Sequence, residues 1–118
     1  MSIPAEIVEI LTSRGETLSI AESLTGGALS SAIVDIPGAS HVLRGAVVAY
    51  TTEIKIRELA VSPDLIDSDG VVSESVALAM AEGVRSRMGT TWAISATGVA
   101  GPGAHDGTPA GTVWIAII

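Results

Sequence analysis

The chain has 118 residues, the size of one domain with a single core, and its hydrophobic fraction of 47% argues against disorder. Its net charge of −7 argues against a nucleic-acid partner, and the absence of cysteine excludes disulfides and thiolate catalysis. Because the N-terminus lacks basic residues and no apolar run approaches the length of a membrane span, we expect a cytoplasmic protein without a membrane partner.

Hydrophobic spacing and turn residues predict alternating helices and strands. The predicted elements are a helix at 3–13, a strand at 17–21, a helix at 26–35, a strand at 45–51, a short helix at 53–59 ended by the Pro63 region, a long helix at 73–88, and strands at 91–96 and 111–118. The strand at 45–51 is expected to be the most clearly buried. This order predicts an α/β fold, a three-layer α/β/α sandwich with a mainly parallel sheet.

Three of the predicted strands end in polar or glycine-rich segments. A-E-S-L-T-G-G (21–27) follows the first strand, Tyr50-Thr51 ends the second, and T-G-V-A-G-P-G (97–103) follows the third. Ligands of α/β sheets bind beyond the carboxyl ends of the strands, so these segments meet at one edge if the strands are parallel neighbours. The sequence therefore predicts a ligand site at that edge.

The first of these segments has two interpretations. Backbone N–H groups at the start of the following helix favour an anion, and Gly26 and Gly27 let the backbone approach a ligand closely. The alternative is a tight turn in which Ser23 or Thr25 only caps the helix. The segment matches neither G-x-G-x-x-G nor a P-loop, so no nucleotide-binding fingerprint decides between them. Likewise, the loop at 97–103 could wrap a ligand or be a mobile connector.

Lys55 is the only lysine, beside five arginines, and Tyr50 is the only tyrosine. A lysine can lose its proton where an arginine cannot, so Lys55 could be a general base, although composition alone favours an ordinary surface lysine. If the two residues meet Ser23, the serine could be a nucleophile, with the phenol lying between Ser23 and Lys55 as a proton relay. Backbone N–H groups from Thr25 to Gly27 would then form an oxyanion hole. This chemistry requires the pKa of Lys55 to fall from roughly 10.4 toward about 7–8.

Five segments match one family in order and spacing: A-E-S-L-T-G-G (21–27), V-V-A-Y-T-T-E-I-K (47–55), V-S-E-S-V-A-L-A-M-A-E-G (72–83), S-A-T-G-V-A-G-P-G (95–103) and G-T-P-A-G-T-V-W-I (107–115). Together they resemble the C-terminal domain of the CinA family of competence/damage-inducible proteins. The resemblance implies an amidohydrolase that converts nicotinamide mononucleotide to nicotinic acid mononucleotide and ammonia. The serine, tyrosine and lysine of the family fall on Ser23, Tyr50 and Lys55.

The resemblance also associates the loop at 97–103 with binding the substrate, a small-molecule nucleotide, and such an anionic substrate suits both glycine-rich loops. The predicted substrate-binding residues are Glu22, Thr25, Gly26, Gly27, Thr97, Gly98, Gly101 and Pro102. For Glu22 two roles stay open, either holding its loop in shape or touching the ribose. His41 and His105 have no second ligand at a regular spacing, so we expect neither a metal nor a cofactor.

The resemblance further implies a single domain over 1–118 that lacks the last strand and helix of the family. The final strand, T-V-W-I-A-I-I, is apolar and needs a cover, either from a C-terminal extension or from another subunit, and we expect a homo-oligomer. The alternative function, from a different class, is a non-catalytic nucleotide-binding or protein-interaction module linked to competence or DNA damage.

Overall fold

The computed structural model describes residues 1–118 and contains five α-helices and four strands. In chain order they are α1 (Ile3–Arg14), β1 (Leu18–Glu22), α2 (Ala28–Val34), β2 (Leu43–Val48), α3 (Thr52–Leu59), α4 (Pro63–Asp69), α5 (Glu74–Met88), β3 (Trp92–Gly98) and β4 (Val113–Ile117), with a short 3₁₀ turn at Ala39–His41. None of the helices has the length and apolar character that crossing a membrane requires.

The four strands form one mixed sheet in the order β2-β1-β3-β4. β1 is parallel to both neighbours: Ala21 faces Val47 on β2 and Ser95 on β3. β4 is antiparallel to β3. The predicted α/β class with a mainly parallel sheet is therefore confirmed. Because β1, β2 and β3 point the same way, their carboxyl ends meet at one edge of the sheet.

Helices cover the sheet from both sides, and the alternation of β1 decides which residue meets which layer. Leu18 and Ile20 point toward α1 and α2, whereas Ala21 points toward the layer of α3, α4 and α5. Every residue of β1 is buried, as expected of a central strand between two helical layers. At the contact between α3 and α5, a Cβ on Gly83 would collide with the Leu59 carbonyl oxygen, so only glycine fits there.

One prediction about the elements was wrong, and one helix was not predicted. The strand at 45–51 is β2, which begins earlier and lies at the edge of the sheet; its residues alternate between half-buried and exposed instead of being fully buried. The Pro63 region does not merely follow a helix, because it starts α4. Ser62 accepts a hydrogen bond from the N–H of Leu65, and proline suits the first helical turn, where its missing N–H costs nothing.

The apolar side chains of β4 are largely uncovered, with Ile115 and Ile117 each more than half exposed. Association through this strand remains a prediction from the sequence.

Candidate active site

A cavity of about 460 Å³ lies beyond the carboxyl ends of β1, β2 and β3. Its walls come from the three strand ends, the first turns of α3 and the segment before α5; they consist of Ser23, Leu24, Tyr50, Thr51, Thr52, Lys55, Val71, Val72 and residues 97–105. The predicted convergence of the three segments at one edge is thus what the fold produces. None of the chain's 13 acidic side chains lines this cavity.

Ser23 and Lys55 are in direct contact within this site. Ser23 is the first residue after β1, and Lys55 lies on the buried face of α3, whose start is capped by the Thr51 hydroxyl. Lys55 Nζ lies 2.8 Å from Ser23 Oγ and 2.9 Å from the carbonyl oxygen of Ala49. The two side chains are nearly removed from water, since Ser23 is 5% exposed and Lys55 is 2% exposed.

Burial of the ammonium lowers the pKa of Lys55 from 10.5 to about 8. No carboxylate pairs with Lys55 to oppose this effect, since its hydrogen-bond partners are Ser23 Oγ and the carbonyl oxygens of Ala49 and Tyr50. In the neutral amine, the two N–H groups can donate to these carbonyl oxygens. The lone pair then remains for the Ser23 hydroxyl, which is the arrangement that a general base needs.

Tyr50 lines the cavity, but its phenol does not lie between Ser23 and Lys55. Those two side chains touch each other directly, and the phenol forms no hydrogen bond with either. The connection from Tyr50 to the lysine is its backbone carbonyl, 3.4 Å from Nζ, while its side chain is 66% exposed. The prediction that the phenol lies between Ser23 and Lys55 is therefore wrong. The exposed side chain of Tyr50 lies at the mouth of the cavity, where it can contact a ligand.

Glu22 is fully buried and caps α2. Its Oε1 accepts from the N–H groups of Gly27 and Leu29 at 3.0 and 3.1 Å, and its Oε2 accepts from the N–H and hydroxyl of Ser30 at 2.9 and 2.6 Å. Burial raises the pKa of Glu22, but the Ser30 hydroxyl and the backbone donors outweigh burial, so the pKa lies below its ordinary value. The carboxylate is ionised and holds the loop in shape.

Two of the three N–H groups in the predicted oxyanion hole from Thr25 to Gly27 already have acceptors in the protein. The N–H of Gly27 donates to Glu22, and the N–H of Gly26 donates to the Ser23 carbonyl oxygen at 3.0 Å. The N–H groups of Ser23, Leu24 and Thr25 in this loop donate to no protein acceptor. At the start of α2, the N–H groups of Gly27, Leu29 and Ser30 already bind the Glu22 carboxylate.

The predicted substrate-binding residues divide into two groups. Thr97, Gly98, Gly101 and Pro102 all line the cavity, whereas Glu22, Thr25, Gly26 and Gly27 do not. For Glu22, Gly26 and Gly27, a role in binding substrate remains a prediction to which this geometry adds no support, whereas Thr25 keeps a backbone N–H without a protein acceptor.

Gly98 is also required by packing. A Cβ there would lie 2.7 Å from the Thr112 carbonyl oxygen and 3.0 Å from Leu24 Cδ1. Beyond it, the loop from β3 to β4 is pinned at its base: the N–H of Val99 donates to Thr112 at 2.9 Å, and the N–H of Gly111 donates to Val99 at 2.7 Å. Residues 100–105 of the cavity wall therefore belong to a loop whose two ends are joined by backbone hydrogen bonds.

Sequence reasoning missed part of the wall. Val71 and Val72 precede α5 and reach the site because the Thr97 hydroxyl lies 3.4 Å from the Val71 carbonyl oxygen. No local pattern signals this long-range contact. Thr52, which directly follows the predicted segment Tyr50-Thr51, could have been found. No group of three or more His, Asp or Glu side chains is arranged to hold a metal ion.

Comparison with known proteins relates the whole chain to one family. A family model described as the CinA C-terminal domain matches residues 1–118. A CinA-like protein of Frankia casuarinae is 44% identical over 116 residues, covering 98% of this chain and 27% of that protein. The chain spans 27–28% of the length of the first curated relatives it matches, so it corresponds to one part of longer proteins.

Solved structures agree with this fold closely. The competence/damage inducible protein CihA from Agrobacterium tumefaciens is 36% identical, with a TM-score of 0.92 over 97% of this chain and 70% of that one. The competence or damage-inducible protein from Enterobacter asburiae is 34% identical, with a TM-score of 0.94 over 97% and 72%.

Proposed function

The chain belongs to the CinA C-terminal domain family, and from this premise we propose that it is an amidohydrolase acting on the carboxamide of nicotinamide mononucleotide. The products are nicotinic acid mononucleotide and ammonia. The observation that carries the proposal is the 2.8 Å contact between Ser23 Oγ and the buried Nζ of Lys55. A serine beside a lysine of lowered pKa is a nucleophile with its own base.

The proposed reaction has two halves. Ser23 Oγ attacks the carboxamide carbon while its proton passes to Lys55 Nζ. Collapse of the tetrahedral intermediate breaks the C–N bond, and the Lys55 ammonium returns the proton to the leaving nitrogen, which departs as ammonia. Water then attacks the remaining ester and loses a proton to Lys55; the bond between the acyl carbon and Oγ breaks, and Lys55 returns the proton to Ser23 Oγ as the acid is released.

Three features of the site suit this substrate. A nucleotide monophosphate carries negative charge, and a wall without any carboxylate does not repel it. In the loop after β1, the N–H groups of Leu24 and Thr25 have no protein acceptor, which leaves them as donors for the developing oxyanion. Tyr50 lies at the mouth, where an aromatic side chain can contact the pyridine ring.

Ammonia release from nicotinamide mononucleotide tests the proposal. We expect Ser23→Ala and Lys55→Arg each to lower kcat/KM by on the order of 10³-fold or more, since arginine keeps the charge but cannot accept the proton. Arg57→Lys is a matched control on the exposed side of α3 and should retain full activity.

Normal turnover by Ser23→Ala would show that Ser23 is not the nucleophile. Calorimetric binding of the mononucleotide without any ammonia release by the unmodified chain would instead favour the nucleotide-binding module.

A further inference from the structure

We propose that Glu22 is a positioning residue for Ser23: its buried carboxylate fixes the turn from β1 into α2 and so aims the serine hydroxyl at Lys55. The inference rests on the proposed nucleophilic role of Ser23. It concerns a residue that does not line the cavity and that would act through Ser23.

The side chain of Glu22 ties the end of β1 to the first turn of α2. Four donors bind it, from Gly27, Leu29 and Ser30, and the residues between 22 and 27 are the loop that begins with Ser23. Packing does little to hold this loop at its far end. Gly26 and Gly27 have φ of 59° and 112°, and a Cβ on either would meet no atom within 4 Å. The hydrogen bonds to Glu22 therefore set the shape of the turn together with two backbone bonds, from the N–H of Gly26 to the Ser23 carbonyl oxygen and from the N–H of Ala28 to the Thr25 carbonyl oxygen.

The backbone of Glu22 closes a ring around the catalytic pair. Its carbonyl oxygen accepts the N–H of Ala49 at 2.7 Å, and the Ala49 carbonyl oxygen lies 2.9 Å from Lys55 Nζ. Lys55 Nζ in turn lies 2.8 Å from Ser23 Oγ, and Ser23 is bonded covalently to Glu22. The nucleophile and its base thus share one anchor, and a shift of Glu22 changes the distance between them.

Glu22 acts on this geometry and not on the charge of the lysine. Burial is what lowers the pKa of Lys55, and Glu22 is not among its causes. Loosening the anchor should therefore slow the reaction without moving the pH at which Lys55 titrates. The substitution Glu22→Gln provides this test, since the amide that it introduces has one acceptor oxygen and would turn an N–H₂ group toward donors that now bind a carboxylate.

The experiment measures the reactivity of Ser23 directly, with a small fluorophosphonate as probe. Ser23 Oγ forms the P–O bond, fluoride leaves with the bonding electrons, and the serine proton passes to Lys55. Labelling rates are followed by intact mass between pH 6 and 10 for the full chain, Glu22→Gln and the exposed control Glu82→Gln, at temperatures where circular dichroism shows each to be folded. Ammonia release is measured in parallel.

We expect Glu22→Gln to label at least about tenfold more slowly, with the midpoint of its pH profile unchanged, and to lose kcat with little change in KM. Glu82→Gln should match the unmodified chain. Labelling of folded Glu22→Gln at the unmodified rate overturns the inference, and so does a shifted midpoint with an unchanged plateau, because the effect would then be electrostatic.

The two readouts separate this inference from the proposed function. If the unmodified chain labels at Ser23 but releases no ammonia, the substrate assignment fails, and the ratio of labelling rates still decides the role of Glu22. If Ser23 does not label at all, the nucleophile and its positioning residue fail together.

Discussion

Two buried ionisable side chains lie at neighbouring strand ends, Glu22 at the end of β1 and Lys55 just after β2. Four hydrogen-bond donors surround the carboxylate, and its pKa lies below the ordinary value. The ammonium has only neutral acceptors, and burial brings its pKa to about 8. Both groups are buried, yet the Glu22 carboxylate keeps its negative charge, whereas Lys55 can lose its proton near neutral pH.

The difference teaches what makes a buried charge reactive. A group whose donors fully replace its hydration holds its charge and becomes a structural anchor. A group with incomplete compensation exchanges its proton near neutral pH and becomes a base. The site combines the two, with Ser23 placed between the anchor and the base.

The strongest test of this contrast replaces each charge by an apolar chain of similar length. Lys55→Met should lower activity by on the order of 10³-fold or more while leaving the free energy of unfolding at pH 7 within about 1 kcal/mol of its original value, or raising it. Glu22→Met should reduce the free energy of unfolding by about 3 kcal/mol, because the donors of α2 then stay buried and unpaired. Urea unfolding and ammonia release measure both. Equal losses of stability in the two variants would refute the contrast.

A second test is the pH dependence. Below about pH 8, the neutral fraction of Lys55 and hence kcat/KM should rise about tenfold per pH unit, then level off. Stability should also rise between about pH 8 and 10.5, since the folded chain binds fewer protons on Lys55 than the unfolded chain in this interval. Glu22, whose folded pKa is lowered, contributes stability above its ordinary pKa of 4.5 that is lost in more acidic solution. A rate that is flat from pH 6 to 9 would contradict the assignment of Lys55 as base.

The smallest expected effect comes from removing one donor to Glu22. Ser30→Ala deletes the hydroxyl 2.6 Å from Oε2 but leaves three backbone donors, so we expect a loss of about 1 kcal/mol in the free energy of unfolding. Ser31→Ala, on the exposed side of the same helix, serves as control and should be neutral. A loss of more than about 3 kcal/mol in Ser30→Ala would mean that the backbone donors do not carry the cap.

The sequence predicted the sheet edge well because the rule behind it is local. When parallel strands are joined by right-handed crossovers, the glycine-rich and hydroxyl-bearing segments that follow them come together at one edge of the sheet. Lys55 was harder, since composition favoured the surface. The missed signal was its spacing: Leu59 lies four residues later, and both are buried on one face of α3.

For Glu22, such reasoning offered holding the loop in shape as one of two roles but could not choose between them. Its hydrogen-bond partners lie five to eight residues later in the sequence, beyond two glycines with positive φ. No sequence pattern indicates that the chain folds back onto the carboxylate. The edge position of β2 was missed for a similar reason. An apolar strand reads as buried, but sheet order depends on pairings far apart in the chain.

The pinned base of the loop between β3 and β4 has a consequence for divergence. The bonds joining Val99 to Thr112 and Gly111 close the excursion regardless of what residues 100–110 contain, and changing the length of a closed loop costs little free energy. Insertions and exchanges there can remodel one wall of the cavity without disturbing the register of β3 and β4 or the Ser23–Lys55 pair. The scaffold can therefore keep the proposed Ser23–Lys55 centre while the sequence of this loop changes, through evolution or loop grafting.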